Sequence, residues 1–191
     1  MTFYKPEKLP KLMIAPNGAR PSKKDHPAVP ITISETVETA KACFNAGADG
    51  IHFHMRDENG QHILDSGLCR EALNELQKKV PRMHLQVTTE AVGRYSPDVM
   101  RKLALDVIPP GISIGIREMI PSRSPKSEDI NLYRHLTEAG TRIQHICYEP
   151  KDIDLLSNLL SLTNISKEGT WCMLVIGHYS GIKSNPEKIS Y

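Results

Sequence analysis

The sequence predicts an α/β protein of the (β/α)8 TIM-barrel type, incomplete, with about six βα units, and three observations predict it. Short apolar runs rich in Ile, Val and Leu alternate with segments of helical periodicity, the order produced by parallel strands joined through crossover helices. The unit recurs about every 30 residues, as in a barrel whose complete form has eight strands in about 250 residues. The turn after the first run, PNGAR, holds a single glycine, Gly18, where the phosphate-binding GxGxxG turn of a doubly wound sheet needs three.

Six strands are expected, at Lys11 to Asn17, Asp49 to Asp57, His84 to Glu90, Gly111 to Ile116, Arg142 to Tyr148 and Trp171 to Gly177. Each is short and largely apolar, as strands covered on both faces are. Between them, Ser34 with Glu35 opens an Ala-rich helix that runs to Ala46 and stops at Gly47. Asp65 opens the next, through Leu76 to the Val80-Pro81 break. Ser96-Pro97 starts a third, with serine at the cap and proline in the first turn. A fourth runs from Ser127 to Ala139 and closes at Gly140, and a fifth spans Asp152 to Leu162. No repeat, low-complexity tract or linker interrupts the series, so residues 1–191 are read as one barrel domain.

Composition narrows the function. A net charge of +2 with interspersed signs gives no basic stripe to neutralise a row of phosphates, which argues against nucleic acid as a partner. No window approaches the roughly 18 apolar residues of a membrane span. Cys43, Cys69, Cys147 and Cys172 are widely spaced, form no CxxC pair and follow no secretory signal, so a reducing cytoplasm is the expected location. The sequence lacks a GxSxG elbow, an HExxH helix and a Walker-type loop, which removes the usual serine hydrolase, zincin and P-loop readings.

The chemistry concentrates in IHFHMRD. Side chains alternate faces along a strand, so His52 and His54 point one way while Ile51, Phe53 and Met55 point the other. The apolar three face the helices. Two imidazoles then project into the barrel near the strand's carboxyl end, where barrel enzymes place their catalytic groups. At this spacing they can share one divalent metal, most simply zinc; the blander reading is a polar core histidine with its tautomer partner.

The same parity aligns His84, Gln86, Thr88 and Glu90 on one face of the third strand. Buried without partners, each such group would cost about 1–3 kcal/mol, so a ligand, water or metal is expected to satisfy the upper members. Glu90 is either a metal or ligand contact or a solvated edge. On the fourth strand Ser113 precedes Arg117 and Glu118: Arg117 is either a bidentate carboxylate clamp or a structural ion pair with its neighbour. Tyr148, Glu149, His178 and Tyr179 fall on the same rim, whereas His26, His62 and His135 read as solvated.

Four stretches together resemble the β-keto acid cleavage enzymes: APNGAR with DHPAVP, AGADGIHFHMRDENGQHILD, LQVTTEAVGRY and MLVIGHYSG. The HxHxRDxxG and TTEAVGRY stretches are the specific ones. The resemblance implies a barrel and a zinc-dependent, retro-Claisen-like acyl transfer in which a β-keto acid and acetyl-CoA give acetoacetate and an acyl-CoA. It implies metal ligation by His52 and His54, and substrate-carboxylate contacts at Thr88 and Thr89. Further substrate contacts are implied near Ser113, Arg117 and Glu118, with Asn17 on the rim after the first strand; Glu90 joins the expected substrate contacts from the parity of the third strand. Arg20 stands where some members have glutamate.

Members of that family continue through two more strands, with an R-x-G-x-E-[DN] segment that supplies an arginine, the third metal ligand and a catalytic acid or amide. This sequence reaches Tyr191 without one, so the expectation is a domain C-terminally truncated relative to the family, with its catalytic base unassigned. Two alternatives follow: an inactive barrel remnant acting as an assembly module, and an amidohydrolase-type hydrolase, which also uses HxH but normally on its first strand. Six strands leave two unpaired edges, which predicts a homo-oligomer.

Overall fold

The computed structural model describes residues 8–168, 170–177 and 185. Six parallel strands, β1 (Met13–Ile14), β2 (Gly50–Phe53), β3 (His84–Thr88), β4 (Gly111–Gly115), β5 (Arg142–Cys147) and β6 (Trp171–Leu174), pair strictly in chain order into one sheet. Helices α1 (Ile33–Asn45), α2 (Ser66–Lys79), α3 (Pro97–Val107), the short α4 (Ile116–Met119), α5 (Ser127–Glu138) and α6 (Pro150–Thr163) fill the crossovers. Among the described residues the sheet is an incomplete barrel with β1 and β6 at its edges. No helix among the described residues is long and apolar enough to cross a membrane.

The strands are shorter than their apolar runs because side chains take over the backbone groups at their ends. The N–H groups of Lys11 and Leu12 donate to the Asp49 carboxylate at 3.0 and 2.8 Å instead of to a ladder, so β1 starts late. Past Phe53, the His54 N–H donates to Asn17 Oδ1, and Arg56 forms an isolated antiparallel bridge with His62, turning the chain back.

Helix starts follow their capping chemistry. In α1 the cap is Thr32, two residues earlier than Ser34: its hydroxyl accepts from Glu35 N, and Glu35 returns a bond to Thr32 N. This reciprocal pair satisfies donors that Ser34 would leave open. Asp65 caps α2 by accepting from Leu68 N at 2.7 Å, and Pro97 occupies the first turn of α3 behind Ser96, which makes no side-chain cap bond. The last helix begins at Pro150, with Asp152 in its first turn.

Parity organises the packing. Ile51, Phe53, Leu85, Val87, Ile112 and Ile114 face outward and are buried against Leu73, Leu76, Met100, Leu103, Leu132 and Leu159 of the helices. The register sets Gly50 against His84, His52 against Gln86, and Thr88 against Ser113, which in turn faces Gln144. That inner stripe is polar. Gly111 lets the sheet close up here: a Cβ on it would lie 2.8 Å from the Leu85 carbonyl oxygen, a backbone atom that cannot yield.

Candidate active site

His52 and His54 share the inner face, and their Nε2 atoms lie 3.1 Å apart. His52 Nδ1 is 2.7 Å from Gln86 Oε1. An amide oxygen only accepts, so Nδ1 carries the proton and Nε2 presents a lone pair. For His54, a proton on Nδ1 would face the Glu90 carboxylate, 3.7 Å away, whereas a lone pair there would be repelled by it. The favourable tautomers therefore direct two lone pairs toward each other. A metal ion about 2.0–2.1 Å from each nitrogen would sit between them, and Gln86 is the kind of outer partner that fixes a ligating imidazole.

Burial keeps both rings neutral, the form a metal ligand needs. Desolvation pulls His52 below the usual imidazole range. For His54 burial, helped by His52, His62, Arg56 and Arg20, takes the value down to about 2. Its Nδ1 makes no hydrogen bond. Glu90 approaches that nitrogen and not Nε2, and so orients the ring from outside the lone-pair pocket. Arg20 holds the other Glu90 oxygen at 2.8 Å. Among the described residues no group of three His, Cys, Asp or Glu side chains is set to hold a metal.

The cleft above the pair encloses about 370 Å³ and is lined by Gln86, Thr88, Glu90, Ser113, Glu118, Gln144 and Tyr148 among its polar groups. Met13, Ile146, Met173 and Val175 supply the apolar wall. Thr88 Oγ1 accepts from Glu90 N at 3.0 Å and from Ser113 Oγ at 3.4 Å, and Thr88 lines the cleft. Glu118 accepts from Ala91 N at 3.2 Å.

Three residues expected at the substrate have their polar groups engaged elsewhere. Asn17 is buried, donating to Pro30 O and His54 O and accepting from His54 N, so it locks the first turn onto the end of β2. Thr89 has the opposite parity to Thr88 and donates to Ser113 O at 3.0 Å. Arg117 grips Asp152 through Nε and Nη2, at 3.0 and 2.7 Å, and lies over the Tyr148 ring. Its bidentate carboxylate partner is thus Asp152 on α6, two helices further along the chain.

His62 corrects its solvated reading. It is buried, and Nε2 lies 2.9 Å from Glu90 O, with its ring 5.1 Å from that of His54. The cause is Arg56, whose buried guanidinium donates to the carbonyls of Asn17, Gly18, Pro21 and Gly60 and folds the loop carrying His62 over the site. His26 and His135 are exposed. Glu149 meets Arg117 and Arg123 outside the cleft lining, and His178 and Tyr179 lie outside the described residues. Sequence parity omitted Gln144, although its register opposite Ser113 places it in the cleft.

Parallel strands in a partial barrel, with a polar cleft and paired imidazoles at their carboxyl ends, define a barrel protein of the enzyme type. The sequence matches the beta-keto acid cleavage enzyme family over residues 11–191, and the chain belongs to that family. It is 37% identical over 78 residues to the 3-oxoadipate:acetyl-CoA acetyltransferase of Cupriavidus necator, a stretch covering 41% of this chain and 28% of that one. It is 22% identical over 178 residues to the 3-keto-5-aminohexanoate cleavage enzyme of Acetoanaerobium sticklandii, covering 91% of this chain and 65% of that one. The structure of ObcA with oxaloacetate shares the fold, with a TM-score of 0.65 at 16% identity, over 83% of this chain and 40% of ObcA. The chain thus spans less than two thirds of the length of these relatives.

Proposed function

We propose that His52 and His54 hold a divalent transition metal, zinc, in a site that cleaves a β-keto acid with acetyl-CoA, giving acetoacetate and a new acyl-CoA. The single observation that carries this reading is the 3.1 Å convergence of two imidazole nitrogens whose protonation is set by Gln86 and Glu90. The bound metal would supply Lewis acidity toward the β-keto oxygen.

The chain's own residues do the rest of the binding. Thr88 donates its hydroxyl proton to the substrate carboxylate, and Ser113 supports that hydroxyl from behind. Glu90 and Glu118 border the substrate space. Asn17, Thr89 and Arg117 act one step back, holding the loops that carry these groups. The reaction class is that of the family and of its relatives. Family membership and the position of the pair on the second strand weigh against the amidohydrolase alternative.

Incubation of acetyl-CoA with 3-oxoadipate, 3-keto-5-aminohexanoate and other β-keto acids tests the reading. Acetoacetate formation that is lost in His52→Ala supports it. Absence of product from every acid, with the metal bound, supports instead an assembly module. That second reading draws on the two open edges, where Leu9 and Leu12 near β1 and Met173 and Leu174 in β6 are exposed. Pairing at these edges makes the protein a homo-oligomer, a state light scattering would detect. All four cysteines are free thiols, which suits a reducing cytoplasm.

A further inference from the structure

Cys147 at the end of β5 and Cys172 in β6 have no part in the site described above, yet their sulfurs lie 3.5 Å apart. The register explains the meeting. His145 is opposite Cys172 and Cys147 is opposite Leu174, so the two cysteines are diagonal neighbours with the same parity. The cleft-lining residues of these strands, Ile146, Tyr148 and Met173, have the other parity, which puts the sulfurs on the outer face of the sheet. Cys43 and Cys69 lie on α1 and α2.

We propose that Cys147 and Cys172 form a redox-active dithiol, an oxidation site for hydroperoxides that closes to a disulfide joining β5 to β6. A disulfide needs its sulfurs about 2.05 Å apart, so roughly 1.5 Å of approach is required. Side-chain rotation and a small shift of β6 against β5, its ladder partner among the described residues, supply it.

The two thiols are inequivalent. Cys172 is exposed and meets the oxidant first, whereas Cys147 is buried, and burial pushes its thiol well above the usual range. Cys172 gives up its proton and its thiolate attacks one oxygen of hydrogen peroxide, giving a sulfenic acid and releasing the other oxygen as hydroxide, which takes up the thiol's proton to become water. The Cys147 sulfur then attacks the Cys172 sulfur, its proton leaves with the sulfenic hydroxyl as a second water, and the S–S bond forms. Two thiols are oxidised by two electrons, and one peroxide is reduced to two waters. The product fixes the strand whose other face presents Met173 to the cleft.

The test is peroxide titration of the purified, reduced chain followed by intact mass and peptide mapping. The expected result is a loss of about 2 Da, a single crosslinked peptide pair joining Cys147 to Cys172, and full reversal by dithiothreitol, with Cys43 and Cys69 still alkylatable. In Cys147→Ser the crosslink is absent, and Cys172 instead gains oxygen irreversibly. Amide exchange across β6 slows by tenfold or more on oxidation of the wild type and is unchanged in Cys147→Ser. Direct oxygen addition at Cys172 of the wild type without a crosslink overturns the proposal. So does a disulfide involving Cys43 or Cys69, or a chain that peroxide leaves unaltered.

Discussion

Replacing Asp152 with asparagine removes one negative charge from a fully buried side chain and alters almost nothing in its shape. That carboxylate accepts from Arg117 Nε and Nη2, from Arg123 Nη1 and from the N–H groups of Tyr148 and Glu149. Removing one partner of a buried ion pair costs about 3–5 kcal/mol, because the remaining charge stays desolvated. Arg117 and Arg123 are 25% and 38% exposed, and Glu149 stays beside both, so water and a second anion offset part of the loss. The expected destabilisation is therefore about 3 kcal/mol, roughly a hundredfold in the folding equilibrium.

Urea unfolding followed by circular dichroism would measure it. With a slope of about 2–3 kcal/mol/M for a chain of this size, the midpoint should fall by about 1–1.5 M with the slope unchanged. A loss under about 0.5 kcal/mol would refute the reasoning. It would mean that Arg117 is not anchored on α6, and would restore it as a free guanidinium for substrate.

Two further outcomes follow from the same geometry. Gly111→Ala sets a Cβ 2.8 Å from the Leu85 carbonyl, so β3 and β4 must separate locally; thermal unfolding should show a loss of at least about 2 kcal/mol, and an unchanged melting temperature would contradict the packing. His145 is buried with Nδ1 bonded to Trp171 O, and burial lowers its folded pKa from 6.5 to about 4. The unfolded chain then binds the extra proton, so this contribution is complete above pH 6.5, erodes by up to about 1.4 kcal/mol per unit as pH falls, and levels off below about 4. His145→Asn should flatten the stability profile across that window, and a profile as steep as the parent's would contradict it.

Local rules made much of the fold legible. The alternation along IHFHMRD placed His52 and His54 on one face because a strand's period of two leaves no other arrangement. The Asp65 cap and the Ser96-Pro97 start were similarly readable from adjacent residues. What escaped the sequence was settled at a distance. Thr32 is the exception, a local signal passed over: Glu35, three residues on, bonds back to it and so favours it over Ser34. Arg117 is claimed by Asp152, 35 residues on, where sequence proximity suggested Glu118. His62 is drawn inside only because Arg56 finds four backbone carbonyls in two loops, a network that no spacing or composition announces. The strand ends were overlong for the related reason that Asp49 and Asn17 capture backbone groups the ladder would have used.

Equilibrium dialysis of zinc against protein purified without chelator asks whether the two imidazoles ligate a metal. The expected result is one zinc per chain, lost in His52→Ala and His54→Ala, retained in the exposed-site control His26→Ala, and bound about 10–100-fold more weakly in Gln86→Leu. A parent protein that binds no zinc, or a His52, His54 double variant that binds it undiminished, would contradict the account.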